Sequence, residues 1–281
     1  MTSTYFVSDL HLFSKRSREE MYRVSLQNAL QRAGCFVLGG DIFDFRWSML
    51  PSFQASLNAA EKWVEQLVQP RPECEFHYVL GNHDSHPQFV ERLQNLAGRL
   101  PNLTWHHEFL RRGEDVFLHG DVLDGETTSN GLTQRRQRWA DEKRKGPVSN
   151  AFYDAAIAVR AHKMVGHLAH PRERTARRLL DYLKHVGQGP ESGVERVYFG
   201  HTHAAWNAFP YSGISFHNGG APMAGLEFRI LEVGGAPSPS HYQYPPDPRL
   251  TIPGGWRANV GERFRKLPVF PRLIRQQKRR P

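Results

Sequence analysis

A short motif at the predicted end of a strand carries side chains suited to metal and proton chemistry. Gly81-Asn82-His83-Asp84 follows the apolar run 76–80, where Gly81 would let a buried strand turn sharply. Asn82 offers an amide oxygen to a cation, and the His83 imidazole beside it could donate a proton. Four other predicted strand ends carry similar side chains: Asp9-Leu10-His11, Gly40-Asp41, His119-Gly120-Asp121 and Gly200-His201-Thr202-His203. We expect all five to meet at one rim.

The spacing of these residues predicts two metal sites that share a carboxylate. Asp9 and His11 are two residues apart, so on an extended backbone both side chains leave the same face. Asp41 has two carboxylate oxygens and could bridge two ions. The predicted ligand sets are Asp9, His11, Asp41 and His203 for one ion, and Asp41, Asn82, His119 and His201 for the other.

The ligand chemistry favours a catalytic rather than a purely structural metal site. Nitrogen and oxygen ligands without thiolate suit Mn²⁺, with Fe or Zn²⁺ as alternatives, better than a closed structural zinc site. Two divalent ions about 3.5–4 Å apart are the arrangement that clamps the attacking and leaving oxygens of a phosphoryl transfer.

The segments between the motifs predict an α/β chain. In the first half, strands alternate with amphipathic helices, an order typical of parallel strands whose ligands collect at their carboxyl ends. The second half predicts a hairpin over 103–118 and strands over 194–199, 214–217 and 226–231, which would form a second sheet. A helical insertion over about 132–186 separates the last two motifs. We predict one domain over 1–247 and a tail over 248–281.

Composition predicts a soluble, cytoplasmic protein. The sequence contains no apolar run long enough to cross a bilayer. Its first residues, Met1 to Thr4, lead directly into a predicted strand and leave no room for a secretion signal. Cys35 and Cys74 form no spacing motif, which favours buried, reduced thiols.

Positive charge is concentrated in two segments. The net charge is +9, and the tail alone carries ten Lys and Arg against one acidic residue. Residues 134–178 carry twelve Lys and Arg against four acidic residues. The rest of the chain is therefore acidic, and the two basic segments indicate an anionic partner, such as a phosphorylated substrate, a lipid surface or nucleic acid.

The tail has three interpretations. Cations and apolar residues alternate over 263–274, which suits peripheral contact with the anionic inner face of a membrane. Pro268 and Pro271 interrupt any continuous helix, which favours a disordered, solubilising tail instead. We give these two interpretations equal weight and rank nucleic-acid binding below them.

The five motifs, in this order, resemble those of the calcineurin-like metallophosphoesterases, namely D-x-H, G-D, G-N-H-[DE], a later His and G-H-x-H. The resemblance covers residues 9–203. It implies a two-sheet β-sandwich flanked by helices, a dinuclear metal centre, and hydrolysis of phosphoester or pyrophosphate bonds by a metal-bridging hydroxide. It also implies that His83 binds phosphate and protonates the leaving group, and that Asp84 orients the site from behind the ligands.

Within that family, three loops are similar to those of the UDP-2,3-diacylglucosamine hydrolases: Ser8 to Leu12, Gly40 to Phe45 and Leu118 to Asp121. A nucleotide-lipid substrate is implied, although those hydrolases usually carry Arg at the position of His83. Arg135 and Arg138 on the basic insertion are candidates to bind substrate phosphate, together with Asn82 and His83. The alternatives are a soluble phosphodiester or phosphomonoester substrate, or a non-catalytic scaffold. Scaffolds typically lose ligands, and here every ligand position is filled.

Overall fold

The computed structural model describes residues 3–142, 144 and 170–234, which form two five-stranded sheets with helices outside them. The ten strands are β1 Ser3–Val7, β2 Ala33–Gly39, β3 Glu75–Val79, β4 Leu103–His106, β5 Phe109–Arg112, β6 Asp115–Leu118, β7 Arg196–Phe199, β8 Trp206–Tyr211, β9 Ile214–Asn218 and β10 Leu231–Glu232. The helices are α1 Arg23–Arg32, α2 Phe53–Val68, α3 Pro87–Arg99, α4 Ser129–Asp141 and α5 Arg172–His185. Across these described ranges, no helix combines the length and apolar character that crossing a bilayer requires.

The first sheet has the strand order β10-β1-β2-β3-β4, and β1 to β4 run parallel. Each pair is joined by a crossover segment that contains a helix, as parallel strands require. The carboxyl ends of β1, β2 and β3 therefore lie side by side and carry the first three motifs. The βαβαβ prediction for this half is confirmed.

The predicted hairpin over 103–118 was wrong in its first part. Leu103–His106 is a separate strand that pairs in parallel with β3, with Phe76 opposite Leu103. Only Phe109–Arg112 and Asp115–Leu118 form the hairpin. The crossover through α3 brings Leu103–His106 back beside β3. The local alternation of side chains does not reveal which strand a segment pairs with, so this pairing could not be predicted from it.

The second sheet has the order β5-β6-β7-β9-β8, and it differs from the prediction in two places. The sequence did not predict β8, because it contains Pro210 and proline is rare inside strands. The strand lies at the edge of the sheet, where a residue without a backbone N–H is tolerated. The predicted strand 226–231 is reduced to β10, which pairs with β1 in the first sheet. Phe228 packs on Tyr22, with ring centroids 4.7 Å apart, so the chain has already crossed to the first sheet.

The two sheets meet through a layer of apolar side chains. Phe6 from β1 packs on Phe117 and Tyr198 from the second sheet, with ring centroids 5.8 and 6.0 Å apart. Larger apolar clusters lie on the outer faces, under α2 and α3 on one side and under α5 on the other. The predicted fold class, a two-sheet α/β sandwich flanked by helices, is confirmed.

The helical insertion is described only at its two ends. It opens with α4, which begins at Ser129 because the Thr128 hydroxyl accepts a hydrogen bond from the Gly131 N–H at 3.0 Å. It closes with α5, and α5 buries Leu179 and Leu183 against the second sheet. The middle of the insertion and the basic tail lie outside the described residues, so the domain division at residue 247 stays a prediction.

Candidate metal centre

The five motifs converge at one end of the sandwich. Asp9, Asp41 and Asn82 follow β1, β2 and β3, while His119 and the 201–203 motif follow β6 and β7 of the other sheet. Because β6 and β7 run parallel to each other, their carboxyl ends lie together opposite those of the first sheet. Asp9, Asp41 and His119 are each at most 1% exposed.

The loops that carry the motifs have an unusual backbone conformation. Five of the predicted ligands have positive φ angles: 56° at Asp9, 46° at His11, 52° at Asp41, 65° at His201 and 55° at His203. Left-handed residues other than glycine cost on the order of 1–3 kcal/mol each and persist only where the surrounding structure fixes them. Here the loops are bonded to one another, with the N–H of His11 donating to the Asp41 carbonyl at 3.0 Å. Such clustered strain is typical of functional sites.

Two glycines make room for carboxylates at the centre. A Cβ atom on Gly81 would lie 2.3 Å from Oδ1 of Asp41, and one on Gly200 would lie 2.2 Å from Oδ2 of Asp9. The positive-φ glycines do not include Gly81. The predicted turn is present over residues 82–84, but what requires a glycine at position 81 is the close approach to Asp41.

The carboxylate of Asp41 lies at the middle of the cluster. Its Oδ1 accepts the backbone N–H of His83 at 2.8 Å. Its Oδ2 lies 3.2 Å from Nε2 of His119 and 3.9 Å from Nε2 of His11. Nitrogens from both predicted ligand sets therefore face the same oxygen, as expected if Asp41 bridges two ions through Oδ2.

The first predicted ligand set comes together as a compact group. Donor atoms of Asp9, His11 and His203 lie within 4.8 Å of one another. The Nε2 atoms of His11 and His203 are 3.0 Å apart. Oδ1 of Asp9 lies 3.5 Å from Nε2 of His203. Both carboxylate oxygens of Asp9 also accept the backbone N–H of His201, at 2.9 and 3.1 Å.

The second predicted set assembles in part. Nε2 of His119 is 3.2 Å from Oδ1 of Asn82 and also 3.2 Å from Asp41. The His201 ring packs against His119 with centroids 5.3 Å apart, but its Nε2 lies 3.0 Å from Oδ2 of Asp124. Sequence reasoning did not identify Asp124, which lies in the 3₁₀ turn that follows His119.

The chemistry of these donors fits divalent cations. His119 Nδ1 lies 3.2 Å from the carbonyl of Gly39, so in the neutral ring that a metal ligand requires this nitrogen would carry the N–H and Nε2 the lone pair. That lone pair then faces two oxygen acceptors, which a cation between them would satisfy. Burial raises the pKa of Asp9 to about 6, as expected of a carboxylate shielded from water. Burial likewise lowers the pKa of His11 to about 4, which keeps its ring neutral, as metal binding requires.

His83 lies beside these ligands and is held by another carboxylate. Its Nδ1 is 3.0 Å from Oδ1 of Asp44, and its Nε2 is 4.0 Å from Oδ2 of Asp41. Although burial lowers the pKa of His83, the Asp44 and Asp41 carboxylates outweigh it and raise that pKa to about 9. Sequence reasoning missed Asp44, although it follows Asp41 by only three residues.

Asp84 is fully buried and joins two of the loops. Its carboxylate accepts hydrogen bonds from the N–H of Gly81 at 2.7 Å, the N–H of Ile42 at 2.8 Å and the hydroxyl of Tyr78 at 2.7 Å. It therefore orders the backbone that carries Asp41 and Asn82. This arrangement agrees with a role behind the ligands, although Asp84 was also a candidate catalytic residue, and that role stays a prediction.

The four candidate substrate-binding residues occupy different surroundings. Asn82 and His83 line a cleft of about 300 Å³ beside the centre, together with Phe45, Arg46, Phe53 and Trp139. The lining does not include Arg135 or Arg138. Arg135 is buried and donates to the Asp121 carbonyl at 3.2 Å, while Arg138 is exposed and donates to the Gln134 carbonyl at 3.4 Å. Their contact with substrate stays a prediction.

Comparison with known proteins identifies a family. The family model described as calcineurin-like phosphoesterase matches residues 2–205, a span that includes every predicted ligand. Among solved structures, the chain is similar to a dimetal phosphatase from Danio rerio, with 15% identity and a TM-score of 0.43, over 79% of this chain and 88% of that chain. No curated protein matches the chain.

Proposed function

Since the chain belongs to the calcineurin-like phosphoesterase family, a family of dinuclear metallophosphoesterases, we propose that it hydrolyses the pyrophosphate bond of a nucleotide-lipid similar to UDP-2,3-diacylglucosamine. The observation that supports the reaction is the convergence of imidazoles from both sheets on Oδ2 of Asp41. The finer substrate assignment draws on the three loops that resemble UDP-2,3-diacylglucosamine hydrolases.

The metal centre would be formed by residues of all five motifs. Asp9, His11 and His203 would hold one ion, Asn82, His119 and His201 the other, and Asp41 would touch both. Two divalent ions, with Mn²⁺ as the proposed metal, would polarise the phosphoryl group and offset the charge that develops on the attacking and leaving oxygens. The protein would contribute by positioning these seven ligands in advance, five of them on left-handed backbone.

His83 is the proposed general acid. Asp44 occupies its Nδ1 at 3.0 Å, which leaves Nε2 free to bind a phosphate oxygen and to give its proton to the leaving group. The Asp44 and Asp41 carboxylates outweigh burial and raise the pKa of His83, which favours the protonated ring. His83 also lines the cleft, so a substrate group that occupied the cleft would meet this proton.

The walls of the cleft suit a substrate with more than a simple phosphate. Trp139 packs on His83 with ring centroids 4.6 Å apart, and the Arg46 guanidinium lies 4.4 Å from the Trp139 ring. Phe45 and Phe53 complete an apolar side. Rings and a guanidinium beside the acid would accommodate a ring-bearing or acylated group attached to the phosphate.

A substrate panel tests the proposal. The purified protein with Mn²⁺ would be assayed on UDP-2,3-diacylglucosamine in detergent, a soluble UDP-sugar, bis-p-nitrophenyl phosphate and p-nitrophenyl phosphate. We expect the highest kcat/KM for the diacylated substrate, with release of UMP. The matched control is the His11→Ala variant, which should be inactive on all four.

A soluble phosphoester is the second candidate. His83 stands where the diacylglucosamine hydrolases usually carry Arg, and a histidine acid suits substrates with poor leaving groups generally. Equal kcat/KM for the acylated and soluble UDP-sugars would favour this candidate. Greater turnover of a simple diester than of either UDP compound would exclude the nucleotide-lipid.

A further inference from the structure

The contact between Asp124 and His201 gives a role to a carboxylate outside the predicted ligand sets. Oδ2 of Asp124 lies 3.0 Å from Nε2 of His201. An imidazole has two nitrogens, so a ring whose Nε2 is engaged by a carboxylate has only Nδ1 left for a metal. We propose that Asp124 is a positioning residue that fixes the His201 ring with Nδ1 directed at the metal centre.

The fold holds Asp124 in place. It ends a 3₁₀ turn over Asp121–Asp124, which begins at Gly120 with a φ of 107° and closes with the Leu123 N–H donating to the Gly120 carbonyl at 3.0 Å. The turn is fixed to α4, because Asp121 accepts two hydrogen bonds from Arg136 at 2.8 and 2.9 Å. The carboxylate of Asp124 therefore reaches His201 from a turn whose first residue is bonded to α4.

His201 is also constrained from its other sides. Its backbone N–H is bonded to Asp9, and its ring packs edge-on against His119 with centroids 5.3 Å apart. A carboxylate that accepts the distal N–H of a ligand histidine selects its tautomer and strengthens it as a ligand, and losing such a partner typically weakens metal binding about 10–100-fold. The inference rests on the dinuclear centre of the proposed function.

A neighbouring histidine supplies the competing explanation. The ring centroid of His170 lies 6.0 Å from that of His201. Donor atoms of Asp124, His170 and His201 all lie within 4.8 Å of one another. These three could hold an ion themselves, in which case Asp124 would be a ligand and not a positioning residue.

Metal titration separates the two roles. Protein stripped with a chelator would be titrated with Mn²⁺, and free Mn²⁺ would be followed by electron paramagnetic resonance. For the wild type we expect two bound ions. In Asp124→Ala one ion should bind as before and the other about 10–100-fold more weakly. Asp124→Asn should be intermediate, because its amide oxygen accepts the same hydrogen bond without the charge.

The controls make each outcome decisive. Glu126→Ala removes a carboxylate two residues away and should leave both affinities unchanged. The unfolding midpoint of metal-free Asp124→Asn should match that of the wild type, which excludes a general loss of structure. Three ions in the wild type and two in Asp124→Ala would overturn the proposal in favour of a ligand role. Unchanged affinities in Asp124→Ala would overturn it outright, whereas a wild type that binds no ion would reject the metal centre itself.

Discussion

The carboxylate of Asp44 lies directly behind the ring of His83, with Oδ1 3.0 Å from Nδ1. Both side chains are largely buried, so the interaction is poorly screened by solvent. The carboxylate fixes the tautomer of His83 and stabilises its protonated ring, as the proposed role as a proton donor requires.

Replacing His83 with alanine should lower kcat by roughly 10²–10⁴-fold while both metal ions stay bound, because its proposed role is that of an acid and not of a ligand. The loss should be smaller for nitrophenolate leaving groups, which need no proton, than for alkoxide leaving groups. Steady-state kinetics on matched aryl and alkyl phosphodiesters, together with metal analysis, measure both effects.

Asp44→Asn serves as the companion variant. It keeps a group behind the ring but removes its charge, so the pKa of His83 should fall and the activity should decline at the alkaline end of the pH profile.

Equal losses for aryl and alkyl substrates in His83→Ala would contradict the acid role and indicate electrostatic binding of phosphate.

Asp41→Asn should weaken the binding of both ions together. A neutral amide cannot balance two cations, yet its Oδ1 can still accept the His83 N–H, so the loop should keep its shape. Metal content after dialysis measures the effect, with Asp115→Asn at the start of β6 as a control that should retain two ions. Full occupancy in Asp41→Asn would reject the bridging position.

The convergence of the motif residues could be predicted from the sequence because each motif directly follows a strand. Parallel strands bring their carboxyl ends together, so order and spacing were enough to place Asp9, Asp41 and Asn82 at one rim. The roles of Asp44 and Asp124 could not be predicted in the same way. Each is a loop carboxylate whose function depends on which imidazole it faces, and only the packed loops determine that.

The same limit applies to the strands. Leu103–His106 has the alternation of a hairpin strand, and only the crossover through α3 makes it a parallel partner of β3. The left-handed backbone at five of the predicted ligands could not be predicted from the sequence either. Asp and His do not indicate a positive φ angle as glycine does.

Arg136 should contribute to stability rather than to substrate binding. It is buried, pairs with Asp121 at 2.8 Å and donates to the Leu80 carbonyl at 2.7 Å, which fastens α4 to the end of β3. Arg136→Met would leave the Asp121 charge unpaired, which should cost about 3–5 kcal/mol of unfolding free energy at pH 7. Chemical denaturation in the presence of a chelator measures this loss. Arg138→Met, on the exposed side of α4, should change stability by less than about 0.5 kcal/mol.

The loss should depend on pH with a definite sign. Although burial raises the pKa of Asp121, Arg136 outweighs it and lowers that pKa below its ordinary value. The pair therefore stabilises the fold above the unfolded-state pKa of about 3.9, and this contribution disappears as the pH falls through the lower folded-state value. The difference between wild type and Arg136→Met should shrink from pH 7 to acid. A constant difference would contradict the ion pair as its source.

Truncation after Gly261 tests the interpretation of the basic tail. If the tail contacts membranes, the truncated protein should bind anionic vesicles much more weakly than the full chain, and added salt should weaken the binding of the full chain, because charges are screened within about 8 Å at physiological ionic strength. Turnover of a small soluble diester should be unchanged, since no motif residue lies beyond His203. Vesicle co-sedimentation and turnover are measured side by side.

Two results would count against that interpretation. A full-length protein that ignores anionic vesicles would remove the membrane contact and favour a soluble phosphoester. A truncated protein without soluble turnover would show that the tail belongs to the folded domain, and would shift the predicted boundary at residue 247.

The central claim is that two ions held around Asp41 make this chain a phosphoester hydrolase. Its most direct test is a titration of chelator-stripped protein with Mn²⁺ while bound metal and hydrolysis of bis-p-nitrophenyl phosphate are followed together. We predict negligible turnover without metal and a rise in turnover that follows occupancy of the second site. Turnover that persists in excess chelator, or two bound ions without hydrolysis of any phosphoester in the substrate panel, would contradict the account.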